Sequence, residues 1–285
     1  MQLFLSALFE GLVNGATLAL ISMGVALIWG IMNILSFSQG EFLMLGLYIS
    51  FYANNFLKMD PIFALPLAMI IMFLVGVLTY KMLVSRALKG PVISQRMLTF
   101  ALSMVLVNGA ILVFSGKYWT INKLTVKGII KLGIININLQ ELVPLITSLI
   151  VTIALFYFLN RTKTGKAMRA TALNRVAAEL VGINTERSFM LAFGIAAAMA
   201  GAAGCALSYL YSINPYAGAP FLLFGFIAVA LGGFGSIMGA LLGGLMMGYT
   251  DVLCGVYLNP AFKYLAVSVM FMLVVYFKPK GLFGR

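Results

Sequence analysis

The sequence predicts an all-α fold: a polytopic integral membrane bundle of about 8–9 transmembrane helices. Three observations carry that prediction. The 285 residues are 62% hydrophobic and 9% charged, against about 25% charged in a soluble domain. A soluble core of this length could not hide so much apolar surface. The apolar runs are continuous over roughly 15–25 residues rather than short and alternating, which favours helices over a barrel. One transmembrane domain is expected over residues 1–285, with an external segment at 117–140 and a cytoplasmic loop at 161–187.

The apolar spans read as 8–34, 37–56, 61–84, 97–115, 141–160, 188–211, 220–234, 237–254 and 261–277. The seventh is short and fits either a full crossing or part of a re-entrant hairpin, so the count is eight or nine. The first has no basic leader, carries Glu10 early and runs too long for a cleavable signal, so it is expected to stay in the mature protein.

Between the first two spans stands "NILSFSQGEF" with a polar cluster, Asn33, Ser36, Ser38, Gln39 and Glu41. Glu41 is the one acid expected near the membrane interior, since Glu10 and Asp251 lie nearer span ends. A charge at the bilayer centre costs at least about 2.5–3.5 kcal/mol, so such a group faces a bundle interior or water. Two roles fit Glu41. It sits in the first turn of a helix, where the dipole favours an anion, or it lines a polar pathway.

Basic residues set an orientation. Thirteen of the nineteen, every arginine included, fall in three stretches of one parity: Lys81 to Arg96, Arg161 to Arg187, and the tail with Lys278, Lys280 and Arg285. The other parity holds Lys58, Lys117, Lys123, Lys127, Lys131 and Lys263. The positive-inside rule places the thirteen, and the C-terminus, in the cytoplasm. Nine full crossings would then leave the N-terminus outside.

The external stretch "KYWTINKLTVKGIIKLGIININLQ" alternates β-branched and polar residues around Gly128 and Gly133. It predicts one short strand, or two that would pair as a hairpin. It reads as a solvated loop or as a docking surface for an external partner. In the loop "RTKTGKAMRATALNRVAAELVGINTER", Thr164 is placed to start a helix and Gly182 to end it. Ala170, Leu173, Ala177, Leu180 and Val181 fall on one face at helical spacing, with Arg169, Asn174, Arg175 and Glu179 mostly elsewhere. Two readings fit this helix: it lies on the lipid interface, or it packs into a groove of another protein, which suits its small alanine-rich face, a poor lipid anchor, better.

The segment "GGFGSIMGALLGGLMMG" repeats glycine every four residues at Gly235, Gly239 and Gly243. Small residues at that spacing let a neighbouring helix backbone approach. A break at Gly232 and Gly233 would alternatively free backbone groups to line a cavity.

Several function classes drop out. Histidine is absent, which removes histidine catalysis and most zinc sites, and no metal site is expected. Cys205 and Cys254 lie inside apolar spans and read as packing residues. "TGKA" at 164–167 lacks the upstream glycine and following Ser/Thr of a phosphate loop, so no nucleotide or other cofactor is expected in this chain. The charge of +12 reports topology rather than nucleic-acid binding.

Four motifs in order give a resemblance. "GIMNILSFSQGEFLMLGLYIS" (30–50) resembles the N-terminal signature of LivH-type permeases, the branched-chain amino acid class of bacterial ABC importers. Phe37, Gln39, Gly40, Glu41, Met44, Leu45 and Gly46 match it, while Ser36 stands where asparagine is usual and Ser38 where alanine is usual. "TGKAMRATALNRVAAELVGIN" (164–184) resembles the family's ATPase-contacting segment. "NPYAG" (214–218) with "ALGGFGSIMGALLGG" (230–244) resembles its second-half signature, and "KPKGLFG" (278–284) its closing motif, with Lys278 in the arginine place.

The resemblance implies an importer permease that is not itself an enzyme. It implies a homologous LivM-like partner permease, two cytoplasmic ATPase subunits that bind ATP, an external solute-binding protein, and a multi-pass place in the bacterial inner membrane. Asn33, Ser36, Ser38, Gln39 and Glu41 are then expected near the substrate path. Gly165, Arg169, Ala170, Ala177, Leu180 and Gly182 are expected at the ATPase contact. Gly232, Gly233, Gly235, Gly239 and Gly243 are expected at the helix packing or break. Relatives that carry urea, amides or other amino acids leave the solute open. The rival class, an ion-coupled transporter or channel, would ordinarily need more intramembrane acids or histidines than Glu41.

Overall fold

The computed structural model describes residues 2–88, 90–121, 126, 128–132 and 135–284. Lys89, Lys123, Lys127 and Arg285 of the charge pattern, with part of the 117–140 segment, lie outside the described residues. In chain order the helices are α1 (Gln2–Met32), α2 (Gln39–Leu57), α3 (Pro61–Thr79), α4 (Ser85–Ala87) and α5 (Val92–Phe114). After the hairpin β1 (Ile129–Leu132) and β2 (Ile135–Asn138) come α6 (Leu139–Arg161), α7 (Lys163–Leu173), α8 (Arg175–Leu180) and α9 (Thr185–Leu207). The chain closes with α10 (Gly218–Gly232), α11 (Ile237–Tyr257) and α12 (Lys263–Phe277). A single π-helical turn, Tyr80–Val84, joins α3 to α4, and a 3-10 turn, Pro260–Phe262, precedes α12.

Local chemistry sets the helix starts. Asp60 accepts from the Ile62 N–H ahead of Pro61, whose missing N–H costs nothing at a first turn. Asn184 caps α9 and Ser236 caps α11 through their side-chain oxygens, each taking one of the four donors a helix start leaves unpaired. The hairpin pairs Ile129 with Asn138 and Leu132 with Ile135, within the external segment where the sequence alternates.

The core is built around α1 and α9. α1 packs along α11, α9, α10 and α6, and α9 packs along α3 and α2. Both are buried over 83% of their most apolar stretch, whereas α5 and α12 are 11% and 6% buried and form a rim. α1 contacts both β2 and α7; Glu10 lies near Glu141 at the start of α6, beside the hairpin, while Gly30 meets Gly235 in the turn after α10, so the bundle has a hairpin end and a loop end.

Among the described residues, nine helices make up the bundle and seven of them are long and apolar enough to span a membrane. The other two are α2, more polar, and α10, with 15 residues. At 1.5 Å per residue α10 is about 22 Å long, short of a hydrocarbon core of about 30 Å. α10 nevertheless returns the chain to the loop end. There the tail closes the bundle, with Leu282 N–H donating to Leu231 O at 2.8 Å and Phe283 N–H to Gly232 O at 2.9 Å. The C-terminus therefore sits at the same end as α7 and α8, and the N-terminus at the opposite end.

Candidate functional site

The polar cluster forms where the chain doubles back after α1. Asn33 has φ +55°, a left-handed turn that asparagine tolerates better than most residues, and it is exposed at the loop end. Residues 34–38 then run back into the bundle. The Thr99 hydroxyl of α5 donates to Leu35 O at 3.2 Å, and the Phe37 ring meets Phe226 of α10 at 5.3 Å and Phe100 of α5 at 6.1 Å. α2 begins deep in the bundle, with Gly40 against Gly218, the first residue of α10. A Cβ on Gly40 would lie 2.6 Å from Gly218 O, and one on Gly218 would overlap Gly40 O. Because α10 runs its whole length from this contact to the loop end, the junction lies about 20 Å inside.

Four of the five predicted path residues thus come together. Ser36, Ser38 and Gln39 are fully buried and Glu41 is 4% exposed, while Asn33 stands apart. Ser38 is the right residue type to cap α2, yet its side chain makes no capping bond and instead pairs with the Ser36 hydroxyl at 3.1 Å. Glu41 stands in the first turn of α2, with the Ser103 hydroxyl of α5 beside its carboxylate. Both polar atoms of Gln39 and Oε2 of Glu41 are enclosed without a partner among the described residues. Native interiors pair the large majority of such atoms, so this set stands out chemically.

The loop contains two helices where the sequence predicted one. Asn174, at φ −156°, breaks the run and its side chain accepts from Ala177 N–H at 3.1 Å, starting α8. The start also shifts: Thr162, rather than Thr164, caps α7 by accepting from Gly165 N–H at 3.0 Å. Gly165 is pressed on the end of α6, where any Cβ would overlap the backbone of Phe158 and Leu159. Arg169 donates to Asn160 at 2.9 Å, tying α7 back to α6. Ala170 is half-buried and Ala177 is exposed. Leu173, Val176, Leu180 and Val181 are left exposed, Leu180 at 84%. Gly182, at φ +82°, ends α8. Hydrogen bonds from Thr185 and then Arg175 hold the Glu179 carboxyl below the usual carboxylate range, at 2.6 Å and 3.0 Å.

The glycine series divides between a turn and two seams. Gly233 and Gly235 have positive φ in the turn after α10, and the tail, not a cavity, takes the freed carbonyls. Gly239 and Gly243 press on Gly232 and Ala228 of α10, while Gly244 and Gly248 press on Ala19 and Gly15 of α1.

Known proteins match this chain along nearly its whole length. The family model described as branched-chain amino acid transport system / permease component matches residues 7–275. The chain belongs to this permease family. The high-affinity branched-chain amino acid transport system permease protein LivH of Salmonella typhimurium is 32% identical over 99% of this chain and 96% of its own. The corresponding BraD protein of Pseudomonas aeruginosa is 31% identical over the same shares. Among solved structures, PsaBC from Streptococcus pneumoniae in complex with Fab overlaps 95% of this chain and 91% of its own, with a TM-score of 0.47 and 12% identity.

Sequence reasoning missed three features of this family member. One is a polar cluster near the hairpin end of the bundle: Asn14 of α1 donates to Asp251 of α11 at 3.0 Å, and Lys263 of α12 lies 3.5 Å from the same oxygen. Its partners are separated by up to 237 residues, so no local pattern announces them. The second is the Gly40–Gly218 contact. Its one signal is that a glycine follows a polar turn in both "FSQG" and "PYAG". The third is the docking of "KPKGLFG", which reads as a terminal motif with no hint of its target.

Proposed function

We propose that this chain is the permease subunit of an ATP-binding cassette importer for branched-chain amino acids in a bacterial inner membrane. The observation that carries this reading is the family match from residue 7 to residue 275. The geometry supports the division of labour. The α7–α8 tip offers exposed apolar side chains beside arginines, the surface a separate ATPase subunit needs to grip. Gly165 against α6 and the Arg169–Asn160 bond link that tip to a bundle helix, and α9 follows directly after α8. Movement of a docked ATPase is thereby passed to α6 and α9.

Two ATPase subunits supply ATP hydrolysis, and this chain carries no chemical step. A homologous, LivM-like permease completes the path, and an external binding protein delivers the solute at the hairpin end. The loop end, which gathers α7, α8 and the C-terminus, is cytoplasmic, in keeping with the arginines there. Ser36, Ser38, Gln39 and Glu41 line the path at the level where α2 and α10 begin.

The test is leucine uptake by proteoliposomes containing this permease, its partner permease and both ATPases, with the binding protein added outside. Uptake is expected to require ATP and to survive an uncoupler. ATP-independent uptake abolished by the uncoupler would replace this reading with ion-coupled transport. Gly182→Pro combined with Arg169→Glu is expected to weaken ATPase co-purification and cut uptake at least tenfold. Unchanged co-purification and uptake would remove the tip from the coupling contact.

A further inference from the structure

Two helix starts meet inside this bundle, and beside them both polar atoms of Gln39 and one carboxylate oxygen of Glu41 are left without a partner among the described residues. α2 begins at Gln39 and α10 at Gly218, and neither start is capped by a side chain. α5, α6 and α12 also lack a side-chain cap, whereas α3, α7, α8, α9 and α11 carry one; the α2 and α10 starts differ from the other uncapped ones in meeting each other. A helix start exposes unpaired N–H groups and the positive end of its dipole, and attracts an anion. The two starts touch through glycine backbone at Gly40 and Gly218, so their fields add over one small volume. In the first turn of α2, Glu41 supplies a carboxylate whose Oε2 is unpaired, and Gln39, fully buried, leaves both its amide donor and its acceptor unpaired. An enclosed amide without one partner is costly, about 1–3 kcal/mol per unsatisfied group, and is retained where something else completes it.

We propose that the meeting point of α2 and α10 is a binding site for the charged headgroup of an α-amino acid, shut in this conformation by the Gly40–Gly218 contact. The two ends of a zwitterion match the two kinds of group present. Its carboxylate takes N–H groups of the α2 start and the Gln39 amide N–H; α10 adds at most the Gly218 N–H, since Ala219 N–H donates to Tyr216 O at 3.4 Å and Pro220 has none. Its ammonium takes Glu41 and the Gln39 carbonyl. The aliphatic side chain goes to the Phe37, Phe100 and Phe226 rings on the loop-end side. Opening requires α2 and α10 to part where Gly40 meets Gly218 and Leu222, a contact of apolar packing with no side-chain hydrogen bond across it among the described residues. Helices that start inside a membrane at a solute site follow the general logic that irregular backbone is tolerated there only where it is covered by protein or faces a cavity. This inference rests on the amino acid import proposed above, and its test is independent of transport.

The complete complex, without binding protein, is placed in nanodiscs and its binding of tritiated leucine measured with and without a non-hydrolysable ATP analogue. Competition with 4-methylpentanoate, which lacks the ammonium, and isopentylamine, which lacks the carboxylate, reads the headgroup. Saturable leucine binding in at least one nucleotide state is expected, with each competitor at least tenfold weaker than leucine. In Glu41→Gln the preference for leucine over 4-methylpentanoate is expected to collapse several-fold, while the preference over isopentylamine persists. In Gln39→Leu affinity is expected to fall at least fivefold. Co-purification of all subunits checks that each variant assembles. Gly218→Ala, which prevents closure, is expected to show leucine binding in both nucleotide states. A wild type with no saturable binding, or a Glu41→Gln variant with unaltered ligand preference, overturns the proposal. Intact ATP-driven uptake by the wild type would then leave the importer reading standing.

Discussion

α9 and α5 are both 23-residue apolar helices, yet one is the centre of the bundle and the other its rim. Their glycines show why. Gly201 and Gly204 of α9 are pressed against Met72 of α3 and the backbone of α2. Gly109 of α5 has nothing within 4 Å of where its Cβ would be. In lipid no hydrophobic force separates the two, because acyl chains are as apolar as leucine; close packing of small residues decides which helix goes inside. α9 reads "FGIAAAMAGAAGCAL", while α5 reads "LTFALSMVLVNGAILVF". Apolarity told where the helices are, and side-chain volume told which of them neighbours can approach.

The sharpest way to break this comparison is a matched pair of substitutions. Gly204→Leu is expected to abolish the monodisperse, folded permease, because the new side chain meets the Leu43 carbonyl with no room to move; overpacking costs about 1–3 kcal/mol where relaxation is easy and more where it is not. Gly109→Leu is expected to leave expression and thermal midpoint unchanged. Fluorescence-detected size-exclusion of both variants checks the pair, and similar profiles would refute the packing argument.

Next in size is the polar cluster that joins core to rim at the hairpin end. Asp251→Leu strips Asn14 of its acceptor and Lys263 of its counter-charge. A loss of about 1–3 kcal/mol is expected, visible as a lower thermal midpoint, with Asn14→Ala adding less on the Asp251→Leu background than alone.

A smaller effect is expected at the tail. Truncation after Lys280 removes two hydrogen bonds to the end of α10, each worth about 1 kcal/mol. Faster hydrogen exchange confined to the 231–236 turn is expected, with α9 unaffected.

The smallest concerns the exposed tip. Glu179 is held below its ordinary range by Thr185 and Arg175, so its contribution to local order is complete above the ordinary carboxylate pKa. That contribution fades as pH falls through the lowered value. The protection factor at 179–185, exchange referred to the intrinsic rate at each pH, is expected to fall on acidification in the wild type and to be flat across that range in Glu179→Gln.

Much of the candidate site's local arrangement was legible and some was not, for reasons visible in particular residues. The cluster from Asn33 to Glu41 was found because polar residues interrupt apolar runs. Its division into an exposed Asn33 and four buried groups needed the turn at positive φ. The loop helix was found from spacing, but its break was missed: Asn174 reads as a surface position on a continuous helix, and only its cap of Ala177 reveals the kink. The glycine series gave the seams of α11, while Gly235 was assigned to a helix face and belongs to the turn.

By itself the sequence determined the fold class, the approximate helix count, the polar interruption before α2 and the family, since each follows from composition or local order along the chain. The tertiary structure alone decided that α2 and α10 start within the bundle, that their glycines touch, and that Asn14 meets Asp251. Helix depth and contact partners depend on how distant segments pack, and packing in a membrane turns on the volume available between backbones, which hydropathy does not encode.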